Sequence, residues 1–290
     1  MFGGIEAGGT KFICGIGTSP ADLETTQFPT SSPDITVGSV IEFFHKSRAK
    51  LQSIGIGSFG PLDLDPDSPA YGHITSTPKP GWRNFDLAGT IRNALQLPVA
   101  IDTDVNAALL GEARWGAARG LTDAIYMTIG TGIGGGALVR GEVVHGLVHP
   151  EMGHLRIPHD RTRDPFPGAC PFHGDCLEGL AAGPAIQARW GAVGTTLPPD
   201  HPAWALEAQY LAYGLNNLAV TLSPQRILLG GGVMQQSHLF TLIRREFAQL
   251  LNGYVQHPQL LDQLDHFIQT PQLGSRAGIL GTLVLAERAQ

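Results

Sequence analysis

Two glycine-rich turns, each set between apolar runs that read as strands, constrain this chain more than any other feature. The first closes Gly3-Gly-Ile-Glu-Ala-Gly-Gly-Thr-Lys11, with Gly8 and Gly9 at its tip; the second is Gly130-Thr-Gly-Ile-Gly-Gly-Gly136. A glycine cluster after a strand can open a dinucleotide-binding helix. Here the second cluster runs on into Ala137-Leu-Val-Arg-Gly-Glu-Val-Val144, a strand, turn and strand, so a phosphate-binding β-hairpin fits better than a Rossmann turn. Backbone N–H groups in such turns form anion-binding concavities. Thr10, Lys11, Thr131 and Gly132 stand at or beside them. The repetition suggests two related half-domains closing on one phosphate-bearing ligand, and points to a kinase of neither the P-loop nor the Rossmann kind. A tight hairpin with no ligand is the plainer alternative for either turn.

The remaining pattern alternates strands and helices. Strands are predicted over 2–6, 11–17, 53–59, 99–101, 123–129, 133–140 and 227–229. Helices are predicted over 35–51, from an N-cap at Asp86, and over 104–115, 177–190, 202–222, 236–252 and 276–288. Residues 60–85 read as one long loop, which inside a compact domain is usually functional. The 38 glycines are expected at strand ends, where backbone turns sharply or approaches a ligand.

Composition removes several classes. The net charge is −6 with no basic stripe, which argues against nucleic-acid binding. No run reaches the roughly 20 apolar residues of a membrane span, and the opening strand is not a secretory signal. Cys14, Cys170 and Cys176 make no disulfide framework. A reducing, cytoplasmic setting is expected.

Three clusters carry chemistry. In Asp102-Thr-Asp-Val-Asn106, at a strand-to-helix junction, Asp104 is either an N-cap or a general base at the carboxyl end of a strand, where ligand crevices of α/β folds lie. His154 with Cys170-Pro-Phe-His173-Gly-Asp-Cys176 offers four ligands suited to a closed, structural Zn²⁺ site. His145, His149 and His159 compete for a ligand place, and Cys14 reads as a core residue. Glu151 and Glu178 flank the cluster as a possible paired grip on hydroxyls. Glu6, just before the first turn, could reach Mg²⁺ through water.

Together these motifs resemble the ROK family of sugar kinases and repressors, within the actin-like ATPase superfamily, over nearly the whole chain. The residues are Glu6-Ala-Gly-Gly-Thr-Lys11, Thr103-Asp-Val-Asn-Ala107, Gly130–Gly136, Glu151-Met-Gly-His154, Cys170 to Glu178, and Leu229-Gly-Gly-Gly-Val-Met234. Glu6, Thr103 and His173 depart from the usual Asp, Asn and Cys. With Tyr71-Gly-His-Ile-Thr-Ser-Thr-Pro-Lys-Pro-Gly-Trp82 they look like the bacterial fructokinase branch. Mannokinase, glucokinase and acylhexosamine kinase activities remain open, as do a sugar-responsive repressor and a non-catalytic sugar-binding protein.

The resemblance implies an α/β fold, the two-lobed actin-like ATPase (ribonuclease H-like) fold with a cleft between lobes. Residues 1–118 would form the small lobe, rejoined by a helix at 275–290. Residues 119–274 would form the large lobe with the zinc loop. It implies Asp104 as base on the sugar 6-hydroxyl, with Thr77, Glu151, His154 and Glu178 also binding the sugar. Gly8, Gly9, Thr10, Lys11, Thr131 and Gly132 would follow the ATP phosphates, and Pro184, Gly231, Gly232, Val233, Met234 and Gln235 the adenosine. Zinc would be held by His154, Cys170, His173 and Cys176. A hexose and MgATP are the implied partners, and a homodimer the implied assembly.

Overall fold

Strand β1 (Phe2–Ala7) is the central strand of one of two five-stranded sheets in the computed structural model, which describes residues 1–289. After it come β2 (Lys11–Gly17), β3 (Glu24–Pro29), α1 (Pro33–His45), β4 (Ser53–Ser58), β5 (His73–Ile74), β6 (Phe85–Asp86), α2 (Leu87–Leu95), β7 (Val99–Thr103) and α3 (Asp104–Trp115). The sheet order is β3-β2-β1-β4-β7. β1 and β2 are antiparallel across the first glycine turn, while β4 and β7 run parallel to β1. Residues 60–85 are not featureless: β5 and β6 pair within them.

The second sheet begins with β8 (Ala124–Ile129), β9 (Ile133–Val139) and β10 (Glu142–Val143). It continues after α4 (Leu177–Ala181), α5 (Gly183–Trp190) and α6 (Ala203–Leu222) with β11 (Arg226–Gly230). Next come α7 (His238–Leu251), α8 (Pro258–Leu261), α9 (Leu264–Phe267) and β12 (Ile268–Gln269). Its order is β10-β9-β8-β11-β12. Again the first pair is antiparallel across a glycine turn, and the next two strands run parallel to β8. The two sheets therefore share one topology, which is the repetition the two glycine turns suggested.

The chain divides into two compact units. One comprises Met1–Gly120, Val143–Pro150 and the residues from Gln272 on; the other comprises Leu121–Glu142 and Glu151–Pro271. Val143–Pro150 thus belongs with the first unit, whereas the sequence had placed it in the second. Among the described residues no helix is long and apolar enough to cross a membrane.

Several glycines do work other than that expected. A Cβ at Gly55, in the middle of β4, would lie 1.9 Å from the Thr282 carbonyl oxygen of the C-terminal helix (Ala277–Arg288). One at Gly281 would lie 1.6 Å from the Ala107 carbonyl oxygen of α3. These glycines let helices lie directly on the sheet and on each other. The buried side chains Ile5, Ile54, Ile56, Phe12 and Trp82 belong to the hydrophobic core of this unit. In the second unit, α6 and α7 pack together over Trp204, Leu211, Phe240 and Phe247, all buried.

Other differences are local. The helix expected over 35–51 ends at His45. The helix expected over 177–190 breaks at Ala182, because the Gly183 amide donates to the Gly130 carbonyl at 2.8 Å instead of continuing the helix. β3 was not expected: Glu-Thr-Thr-Gln-Phe-Pro is an edge strand, exposed along most of its length, without an apolar run.

Candidate active site

Asp104 is the first residue of α3. The cap is its neighbour: the Thr103 hydroxyl accepts from the Asn106 amide at 3.1 Å. The capping alternative for Asp104 is thereby removed. Its carboxylate stands at the carboxyl end of β7, where Oδ1 accepts from the Val105 amide at 2.8 Å. Asp102, two residues earlier, is buried and committed. It accepts from the Thr103 amide and from Asn106 Nδ2, each at 2.7 Å, and pairs with His145 Nε2 at 3.1 Å. That bond also raises the affinity of His145 for its proton.

Glu6 lies beside Asp104. Burial, and then the negative charge of Asp104, pushes its carboxyl up to about 7, against the pull of the Ile279 backbone and Lys11. Its Oε2 is fully enclosed and has no hydrogen-bond partner. A Cβ at Gly278 would come within 2.5 Å of Glu6 Cδ, so only bare backbone fits there. An orphaned carboxylate oxygen beside a second carboxylate suits a hard cation such as Mg²⁺.

The first glycine turn closes with the Gly8 amide donating to the Lys11 carbonyl at 3.0 Å, and Thr30 braces it by a hydroxyl bond to the Gly8 carbonyl at 2.7 Å. No atom stands within 4 Å of where a Gly9 Cβ would be, so the tip is open. Thr10 is exposed there. The Lys11 ammonium does not point at the tip; it donates to Gln27 Oε1 at 3.4 Å on β3. Thr77 is buried, and its hydroxyl accepts from the Lys79 amide at 3.3 Å.

In the second unit the Gly130 amide donates to the Gly132 carbonyl at 2.9 Å. Glu178 Oε2 accepts from the Ile133 amide at 2.9 Å, and a Cβ at Gly132 would sit 2.6 Å from that oxygen. Glu151 precedes the short turn Met152–His154, and its carbonyl accepts from the His154 amide at 3.0 Å.

Beside the second glycine turn lies a cavity of about 370 Å³, lined by Thr131, Pro184, Gly232 and Val233 together with Ile186, Gln187, Val193–Thr195, Trp204 and Gln236. Of the residues expected around adenosine, Gly231, Met234 and Gln235 do not line it. Met234 is turned into the core, and Gly231, at φ +91, makes the bend into the cavity wall. Sequence reasoning missed Gln187, Val193–Thr195 and Trp204, which come from separate helices and a loop and carry no motif.

His154, Cys170, His173 and Cys176 bring their ligand atoms within 4.8 Å of one another. The His154 Nδ1 to Cys176 Sγ and Cys170 Sγ separations are 3.5 and 3.8 Å, and His173 Nδ1 to Cys170 Sγ is 3.6 Å. A tetrahedral Zn²⁺ with ordinary Zn–S and Zn–N bonds puts its sulfur and nitrogen ligands about 3.6 Å apart, so the donor set fits. Because His154 faces the sulfurs through Nδ1, its Nε2 is left for another partner.

The competing histidines are engaged elsewhere. His145 binds Asp102, His149 Nε2 accepts from the Leu62 amide at 3.1 Å, and His159 lies 3.2 Å from Asp175. Cys14 is fully buried, and burial pushes its thiol far up.

Comparison with known proteins bears on this arrangement. The model of the ROK family matches residues 2–289. A Bacillus subtilis protein is 49% identical over 290 residues, spanning 100% of this chain and 96% of its own. The fructokinase of Pediococcus pentosaceus is 43% identical, spanning 100% of this chain and 98% of its own. Among solved structures, the ROK hexokinase from Thermus thermophilus superposes with a TM-score of 0.80 at 27% identity, covering 99% of this chain and 98% of that one. The two-lobed actin-like ATPase fold expected from the sequence is the fold observed.

Proposed function

Because the chain belongs to the ROK family, we propose that it is an ATP-dependent fructokinase, forming fructose 6-phosphate with Asp104 as the general base. ROK kinases are sugar kinases that use ATP and a divalent metal. The observation that carries the fructose assignment is end-to-end identity of 43% to a fructokinase.

In the reaction, the sugar O6 forms a bond to the γ-phosphorus as the bond from that phosphorus to the β,γ-bridging oxygen breaks. The electron pair stays on ADP, and the hydroxyl proton passes to the Asp104 carboxylate. Thr77, Glu151, Glu178 and His154 Nε2 supply the polar contacts that orient the hexose. The amides of the two glycine turns, with Thr10 and Thr131, receive the phosphates, and the cavity beside Pro184 and Val233 takes the adenosine. Magnesium, when bound, neutralises phosphate charge, and Glu6 is the carboxylate that would reach it. His154, Cys170, His173 and Cys176 would hold zinc, and it would be structural, since four protein ligands leave no open position. The protein works in the cytoplasm, where ATP and reduced thiols are available, as a homodimer.

A coupled ADP-release assay with MgATP against fructose, mannose, glucose and N-acetylmannosamine tests this. Fructose should give the highest kcat/KM. A higher value for another sugar keeps the chemistry and refutes the substrate, and no turnover with any of them refutes the kinase.

A further inference from the structure

We propose that Lys79 is a further catalytic residue, whose ammonium contacts the phosphoryl group in flight; the proposal rests on the kinase reading above. Lys79 Nζ donates to the Gly9 carbonyl, at the open tip of the first glycine turn. It has no carboxylate partner among the described residues, so its charge is not neutralised by the protein. Lys11, the cation that the motif places at this turn, holds its ammonium against Gln27 instead. The lysine at the tip is thus one that comes from the 60–85 loop.

The loop is built to hold it there. Three residues on, Trp82 is fully buried; its ring nitrogen donates to the Ser31 carbonyl at 2.8 Å and its amide to the Lys79 carbonyl at 3.2 Å. Its ring packs on Phe12, Phe59 and Phe85 with centroids 5.3, 5.6 and 5.4 Å away. Phe12 follows Lys11 directly, so the loop is anchored on the hairpin's own strand. Pro78 and Pro80 flank Lys79 and restrict its backbone.

The chemistry needs such a group. In phosphoryl transfer, negative charge spreads over the three equatorial oxygens while the attacking and leaving oxygens stand in line. An ammonium carries three donors. With one spent on Gly9, two remain for phosphoryl oxygens. A cation positioned on these oxygens contributes to the binding of the γ-phosphate and lowers the barrier further as the charge redistributes in the transition state.

The test compares wild type with K79M, K79Q and K79R. Steady-state rates with MgATP and fructose are measured alongside calorimetric affinities for MgATP and MgADP. Lys79 is half-buried and lies outside the hydrophobic core, so all three variants should melt as wild type does. Expected for K79M and K79Q is a fall in kcat of about 100-fold, an unchanged fructose KM, and a loss of affinity for MgATP but not for MgADP. K79R, which keeps the charge, should recover about tenfold of that loss. An active wild type with K79M and K79Q within threefold of it overturns the role of Lys79 alone. So does equal weakening of MgATP and MgADP, or a K79R variant as slow as K79M. A wild type that turns over no sugar overturns the kinase reading together with it.

Discussion

Glu178 accepts the Ile133 amide at 2.9 Å, so a carboxylate two residues beyond Cys176 fastens the His/Cys cluster to the second glycine turn. The cluster is therefore more than a staple for an irregular segment. It sets the position of α4, and through Glu178 the shape of a turn assigned to phosphate.

It follows that C176S should disturb the substrate site as well as the metal. Zinc content is expected to fall from about one ion per chain to near none. The melting temperature should drop by about 5 °C or more, and the fructose KM should rise. Metal analysis, thermal melts and kinetics on the same preparation check this. A zinc-free C176S that keeps wild-type KM and melting temperature would contradict it.

Glu6 gives stability a pH dependence of definite sign. Its carboxyl is raised from an ordinary 4.5 to about 7 in the folded protein, mainly by burial. Between those values the folded state holds a proton that the unfolded chain has released, so stability falls as pH rises through the window. The full effect is of the order of 3 kcal/mol. Urea midpoints of wild type should therefore decline from pH 5 to pH 8, in magnesium-free buffer, relative to those of E6Q, which cannot ionise. Parallel pH profiles for the two proteins would show that Glu6 is not held this way.

The cavity beside Thr131 and Pro184 should discriminate nucleotide from sugar. Val193 stands at its wall and is 43% exposed, so a larger ring there need not disturb the core. V193W is expected to raise the KM for ATP about tenfold, a cost of about 1.4 kcal/mol, with the fructose KM and melting temperature unchanged. If the fructose KM rises instead, the cavity is not the nucleotide pocket.

What the sequence disclosed, and what it hid, divides along a physical line. Features made by neighbours in the chain were legible. The glycine turns, the cap at Asp86 and the close spacing of Cys170, His173 and Cys176 each declare themselves within a few residues. Features made by tertiary approach were not. Gly55 and Gly281 look like any strand or helix glycine until a helix backbone is laid against them. Trp204, Gln187 and Val193 share a cavity but no pattern. Asp102 and Asp104 look equivalent, and only the three partners of Asp102 separate them. The Lys79 ammonium replaces that of Lys11 at the hairpin tip through a contact spanning seventy positions. β3 escaped notice because an exposed edge strand needs no apolar alternation.

The central claim is that Asp104 activates the fructose 6-hydroxyl. Its most direct test is the position and rate of product formation by wild type and D104N, followed by phosphorus NMR with fructose affinity measured in parallel. The account predicts fructose 6-phosphate from wild type, and from D104N a rate lower by about 10³-fold with fructose binding and melting temperature retained. Phosphate on another hydroxyl, or a D104N rate within tenfold of wild type, would contradict it.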